Sequence, residues 1–496
     1  MRSLLQVLLF TIVLSTPNVS LRAEDPPPNI IFIFADDWGY GDLGIHGSTF
    51  CKTPNLDQMA AEGMDFANFT VNSPVCSPSR VAVMTGQFPA RHCVHQHFQS
   101  IKAHINRGMP DWLDPQAPML PRMLKQAGYK TGHFGKWHLG SVGDSPTEDA
   151  YGYDQFATFN GSGKNEISKG GLASVDHAEA FIKEVKDEPF FINLWLHETH
   201  TPHLPQKRLL EEFKDLGEAE QVYASIIAEG DEGVGRILKL LKELNIDERT
   251  LVVFSTDNGP EHSTDDKDHK GQGLGKFYSV GETGGLKGEK RSLFAGGIRV
   301  PLIVRWPGVV PAGKTDKTSV LTAVDLLPTF LEVAGVPLPT GYEPDGESVL
   351  SAFKGTPTKR TKPIFWEWRG GDAQPDTWPS IGVRDGKWKL LVNKAQKRTE
   401  LYDLENDWPE KYNVAAENPE VVQDLLLSLS ANAVFVQDLT TKLDAWKSSL
   451  PTEPSENGLS KARAKVMAKK AGKSNEAKQA KQSEQAKKKL KAQGKK

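Results

Sequence analysis

Asn29-Ile-Ile-Phe-Ile-Phe-Ala-Asp-Asp37 decides the fold class. The apolar run follows Asp25-Pro-Pro-Pro28, which ends any preceding helix, and it has no polar alternate positions. A strand that lacks such alternation is covered on both faces, as in a parallel sheet. The same grammar returns at Phe190-Phe-Ile-Asn-Leu-Trp-Leu196, followed by His197, and at Thr250-Leu-Val-Val-Phe-Ser255, followed by Thr256-Asp257-Asn258-Gly259. Helical periodicity lies between the runs: Thr53 to Gly63, Met119 to Ala127, and Ala219 to Leu244, whose apolar positions include Ile227, Val234, Ile237 and Leu241. The order βαβα predicts an α/β chain with a large mixed, mostly parallel sheet flanked by helices. Ligands of such sheets bind outside the C-terminal ends of the strands.

From about Pro363 the pattern changes to short strand-like pieces at Ile364–Trp366, Ile381–Val383 and Trp388–Val392, then a helical stretch near Pro419–Lys447. This reads as a smaller antiparallel sheet with a helix packed on it. The expected organisation is a signal peptide over 1–23, a catalytic domain over 24–360, a C-terminal α+β subdomain over 361–450 and a Lys-rich disordered tail over 451–496.

The ends of the chain carry their own signals. Residues 1–23 combine an early Arg, an apolar run from Leu4 to Leu14 and a small residue at Ala23, the layout of a secretory signal peptide. The run is too short for a membrane span of about 20 residues, so export (periplasmic or extracellular) without a transmembrane anchor is expected. Residues 459–496 hold a net charge of +12, which leaves −15 for the remainder of a chain whose formal total is −3. An acidic body excludes broad nucleic-acid binding, which needs a basic surface. The tail reads as a solvated tract or as an adhesive patch for an anionic polymer. Three cysteines, Cys51, Cys76 and Cys93, allow at most one bridge and no four-cysteine zinc site.

Asp36 and Asp37 follow one buried strand and Asp257 and Asn258 another, so strand adjacency could bring four oxygen-bearing side chains to one point. Hard divalent cations take that ligand set, although such residues after a strand also serve as caps and turns. Between them stands Cys76-Ser-Pro-Ser-Arg80, opening a segment that ends in Thr85-Gly86. It resembles the signature of the sulfatase family, in which Cys (or Ser)-x-Pro-x-Arg begins a helix ending in Thr-Gly. Other segments follow in family order across about residues 28–440. They are Gly135-Lys-Trp-His-Leu-Gly140, Thr199-His-Thr-Pro-His203, Asp257-Asn-Gly259, Leu286-Lys-Gly-Glu-Lys290 with Gly296-Gly-Ile-Arg-Val-Pro301, and the C-terminal Arg384–Leu391 and Leu401–Asp407. One departure is Ala295, where relatives usually carry an acidic residue before the Gly-Gly. It leaves Lys287 as a second candidate beside Lys290.

The resemblance implies an alkaline-phosphatase-like fold and a sulfuric ester hydrolase. Cys76 is expected to be oxidised to formylglycine by a formylglycine-generating enzyme, and one hydroxyl of its hydrate attacks sulfur while the other later expels sulfate. A calcium ion is expected on Asp36, Asp37, Asp257 and Asn258, with the modified Cys76 beside it. Arg80 steadies the hydrate and the ion, His138 takes the hydrate's second proton, and Lys136, His200 and Lys290 bind the sulfate, with His200 protonating the leaving alcohol. The substrate class is a sulfated carbohydrate, with aryl sulfates as surrogates. Phosphoester or phosphonate hydrolysis and a non-catalytic glycan-binding homologue stand as alternatives. Specificity is expected from His92–Asp114 (His95, His97, His104, Arg107) and Trp366–Trp378 (Trp368, Arg369).

Overall fold

The computed structural model describes residues 26–140, 143–160, 167, 170–263, 279–369, 379–393, 398–427, 451 and 453–469. The expected signal peptide, the helical stretch beyond 427 and the tail beyond 469 lie outside them. Eight strands form the main sheet: β1 (Asn29–Ala35), β2 (Met64–Phe66), β4 (Lys130–Lys136), β5 (Gln155–Phe159), β6 (Phe190–Trp195), β7 (Thr250–Thr256), β10 (Leu302–Arg305) and β11 (Lys314–Asp316). Two two-stranded ladders join β3 (Phe69–Thr70) to β12 (Leu321–Thr322) and β8 (His262–Ser263) to β9 (Ser279–Val280). The spatial order of the main sheet is β11-β2-β10-β7-β1-β6-β4-β5, and only β10 runs antiparallel to its neighbours. This is the mixed, mostly parallel sheet expected from the apolar runs.

The burial of β1 explains its composition. Ile30, Phe32 and Phe34 enter one core, while Ile31, Ile33 and Ala35 enter another on the opposite face, because successive side chains of a strand point to opposite sides. The first core is closed by α2 (Cys76–Thr85), α4 (Leu120–Gln126) and α9 (Leu326–Val333), through residues such as Val81, Leu124 and Phe330. On the other face lie α1 (Pro54–Ala61), α5 (Ala173–Val185) and the long α7 (Glu218–Glu243), with Leu56, Phe181 and Ile237. Burying each such aliphatic or aromatic side chain contributes about 1.5–3 kcal/mol.

The C-terminal sheet is antiparallel, in the order β13 (Ile364–Glu367), β14 (Ile381–Asp385), β15 (Trp388–Asn393), β16 (Arg398–Asp403). One face packs under α11 (Pro419–Leu427), with Val383, Leu390 and Leu401 around Leu425. The other joins the first core through Ile364, Trp366 and Leu391, and the Trp366 indole donates to the Val71 carbonyl at 2.7 Å.

The tail departs from expectation. A solvated tract was expected from 451, yet residues 453–463 lie against the catalytic domain. The Asp111 N–H donates to Gly458 O at 2.7 Å, the Trp112 indole to Asn457 O at 2.6 Å, and Ser455 Oγ to Asp114 Oδ2 at 2.6 Å. Residues 461–469 form a helix. The segment is held mostly by polar and backbone groups, so its low apolar content gave no sign of docking. No helix among the described residues is long and apolar enough to cross a membrane.

Candidate active site

The four central strands deliver the chemistry. β1 and β7 run parallel with Ala35 opposite Thr256, so Asp36 and Asp37 emerge beside Asp257 and Asn258. On the other side of β1, β6 leads into residues 197–200, and beyond it β4 ends on Lys136. β4 approaches β6 closely at Gly135, whose φ is +114° and where a Cβ would collide with the Trp195 carbonyl. Cys76 opens α2 after an extended Val75, which places it over these strand ends. Asp37 and His138 both hold left-handed backbones, at φ 63° and 57°. Conformations of that kind gather where side-chain placement outweighs backbone preference.

The buried side chains interlock. Lys136 Nζ donates to Asp36 Oδ2 at 2.5 Å, and Lys290 Nζ to Asp37 Oδ2 at 2.6 Å and Glu261 Oε2 at 2.9 Å. Arg80 donates to Asp257 Oδ2 at 2.6 Å and lies over the Trp195 ring at 4.8 Å. Asn258 Nδ2 donates to Asp37 Oδ1 at 2.7 Å, and Thr199 Oγ1 donates to the Asp36 carbonyl. One carboxylate oxygen from each of Asp36, Asp37 and Asp257 lies within 4.8 Å of the other two, and the same spacing joins Asp36, the Cys76 sulfur and a ring nitrogen of His200.

Three cations face three carboxylates, and that balance leaves the acids poorly served. Burial and the charge of Asp36 raise Asp257 to about 7 despite Arg80, and burial raises Asp37 despite Lys290. Asp36 is also pushed up by burial, but Lys136, His200 and Arg80 together hold it well below the usual carboxylate range. Asp36 Oδ1 and Asn258 Oδ1 are buried with no hydrogen-bond partner among the described residues. Hard oxygen donors, two of them unsatisfied, fit a divalent cation.

Burial pushes the Cys76 thiol up to about 12, so little thiolate exists near neutral pH and the unmodified side chain is a poor nucleophile. His138 donates from Nε2 to the Phe98 carbonyl at 2.9 Å. A carbonyl only accepts, so Nε2 carries the proton and Nδ1, which has no partner among the described residues, holds the lone pair. Burial, Lys136 and His97 hold this ring well below the usual histidine range and so keep it unprotonated.

Every expected site residue gathers here except the alternative lysine. Lys287 Nζ instead donates to the Tyr402 hydroxyl at 2.8 Å and sits over the Phe294 ring at 4.1 Å, so Lys290 is the lysine of the pocket. Lys287→Met is therefore expected to leave turnover at this pocket within about twofold of the unchanged protein. Lys290→Met is expected to lower it roughly 10²-fold, the scale for removing one preorganised donor. Parallel steady-state assays of the two variants check this.

A carboxylate does reach the turn at Ala295, from the C-terminal subdomain. Glu410 Oε2 accepts the Ala295 N–H at 2.8 Å, and Lys389 holds Glu410 Oε1 at 2.6 Å. The expected specificity loops divide. Trp368 is buried in the core and His104 is buried against Asp111 at 3.0 Å, so neither faces a sugar. His95 pairs with Glu367 at 3.2 Å and ties the two loops together. His97 lies nearer the pocket, its ring 6.2 Å from that of His138. Glu261 went unread, although it lies two residues beyond the Asp257–Gly259 segment, and Thr199 was quoted in its segment without a role.

A family model described as Sulfatase matches residues 28–336, and a second, N-sulphoglucosamine sulphohydrolase, C-terminal, matches residues 281–433. The chain belongs to the sulfatase family. Among the relatives of this sulfatase is N-acetylgalactosamine-6-sulfatase of Canis lupus familiaris, 32% identical, with the match covering 80% of this chain and 76% of the relative. Arylsulfatase A of Homo sapiens is 30% identical over 80% of this chain and 86% of the human protein. The crystal structure of Ps i-CgsB in complex with k-i-k-neocarrahexaose superimposes with a TM-score of 0.69 at 26% identity, covering 87% of this chain and 95% of that one. The protein is thus a sulfuric ester hydrolase with an alkaline-phosphatase-like core.

Proposed function

We propose that this sulfatase is exported, binds calcium, and releases sulfate from sulfated carbohydrates with residue 76 matured to formylglycine by a formylglycine-generating enzyme. The observation that carries the reading is the meeting of an Asp36/Asp37/Asp257/Asn258 oxygen cluster with Cys76, Arg80, Lys136 and Lys290 in one buried site. The carbohydrate class is supported by what the relatives are named for and by the hexaose in the i-CgsB complex. Export is supported by the pattern of residues 1–23.

Calcium held by Asp36, Asp37, Asp257 and Asn258 would supply positive charge toward a sulfate oxygen and the nucleophile. The hydrated aldehyde would supply two hydroxyls on one carbon, one to attack sulfur and one whose deprotonation expels sulfate, which a thiol does not. Lys136 and Lys290 orient a sulfate monoanion between them. Arg80 stays on Asp257 and offsets part of the negative charge of the cluster. His138 accepts a proton at Nδ1, because Nε2 is already committed to Phe98. His200 donates Nδ1–H to the Thr201 carbonyl at 2.7 Å, so it would protonate the leaving alcohol from Nε2 as the imidazolium, which carries a proton on both nitrogens.

A panel of defined sulfated oligosaccharides, with an aryl sulfate and an aryl phosphate alongside, tests the reading. Sulfate release from at least one oligosaccharide, and turnover of the aryl sulfate well above the phosphate, is expected. Faster phosphate release would favour a phosphoester hydrolase, and binding without turnover a glycan-binding homologue.

A further inference from the structure

The peptide bond between Phe98 and Gln99 serves two histidines at once. Its carbonyl accepts from His138 Nε2 at 2.9 Å, and its N–H donates to His104 Nε2 at 2.7 Å. Because His104 Nε2 accepts, Nδ1 carries the ring proton, and it meets Asp111 Oδ1 at 3.0 Å. The other Asp111 oxygen accepts the Ser460 N–H at 2.8 Å, and the Asp111 N–H donates to Gly458 O at 2.7 Å. Arg463 reaches the Met109 carbonyl at 2.5 Å and lies 3.6 Å from Asp111 Oδ1. An unbroken hydrogen-bonded line therefore runs from the C-terminal segment through Asp111, His104 and one peptide group to His138. Asp111 and His104 are fully buried.

We infer that Asp111 and His104 are positioning residues for His138, fastened by the C-terminal segment 457–463. The inference rests on the proposed role of His138 as proton acceptor. A carboxylate that fixes one imidazole tautomer passes the constraint along the line. Asp111 requires Nδ1–H on His104, His104 then accepts from the Gln99 N–H, and that peptide presents its carbonyl to His138 Nε2. The lone pair of His138 is left on Nδ1. Hydrogen bonds in series polarise one another, so the Phe98 carbonyl becomes a better acceptor as Nδ1 takes a proton and the ring gains charge. A second attachment steadies the same wall. The Leu113 N–H donates to Leu139 O at 2.7 Å, and Trp112 bridges to Gly140 while its indole is held by Asn457. The segment thus grips both the relay and the loop that carries His138.

Asp111→Asn in the full-length protein is the primary test, because it keeps the side chain's size and removes the charge that sets the His104 tautomer. The expected result is a fall in kcat of about 10- to 100-fold, the usual scale for a residue that orients a functional group. KM for an aryl sulfate should stay within about twofold. In 15N spectra of histidine-labelled protein, with His138→Ala used for assignment, the Nε2-protonated signature of residue 138 should be lost. A chain ending at Pro451 should behave like Asp111→Asn, and a chain ending at Lys469 like the unchanged protein. If the shorter chain does not fold, the full-length variant decides. Unchanged kcat in Asp111→Asn, or an unchanged His138 signature beside a lower kcat, overturns the inference. Loss of turnover in His138→Ala with an unimpaired Asp111→Asn defeats this inference alone, whereas an active His138→Ala defeats the proposed base itself.

Discussion

Cys76→Ala is expected to abolish sulfate release, with kcat falling on the order of 10⁴-fold or more, the scale set by loss of a covalent nucleophile. Stability should hardly change. Residue 76 is the first residue of α2, its side chain is small, and α2 is anchored downstream by Val81, Val83 and Met84 in the core. A thermal melt and an aryl sulfate assay on one preparation separate the two effects. Cys76→Ser, which keeps a hydroxyl but not a hydrated aldehyde, should be nearly as inactive. If Cys76→Ala retains turnover, the nucleophile has been assigned to the wrong residue.

Asp257→Asn is expected to remove calcium dependence. The carboxylate faces the other acids and binds Arg80 at 2.6 Å, so the substitution withdraws one negative charge from the cation site, and the anionic partner of Arg80, while keeping its size. In the unchanged protein, calcium added after chelation should raise Tm, because a ligand bound only by the folded state stabilises it. The gain is about 2.7 kcal/mol at a concentration 100-fold above Kd. The variant should show little of that gain and should lose about 10²-fold in kcat. Equal melting temperatures with and without calcium in the unchanged protein would contradict the metal assignment.

The parts of this fold that were legible in the sequence are those where one physical cause acts alone. β1, β6 and β7 are covered on both faces and read as unbroken apolar runs, and α7 shows its stripe over seven turns. β4 was missed because its sequence, Lys-Thr-Gly-His-Phe-Gly-Lys, carries function where a strand would carry Val or Ile. His133 is buried among the rings of Trp137, Tyr153 and Trp195, an environment no local pattern announces.

The acidic cluster was legible because strand ends in a parallel sheet converge, and Cys76 because its motif is dense. The choice between Lys287 and Lys290 was not, since it depends on Tyr402 from the C-terminal sheet. Nor was the line from Ser460 to His138, which joins residues more than 300 positions apart through backbone groups.

The state of residue 76 in active protein tests the account most directly. Peptide mass spectrometry of a preparation with full turnover should find the peptide spanning Val75–Arg80 with formylglycine in place of cysteine, in proportion to specific activity. An intact Cys76 thiol in fully active protein would contradict it.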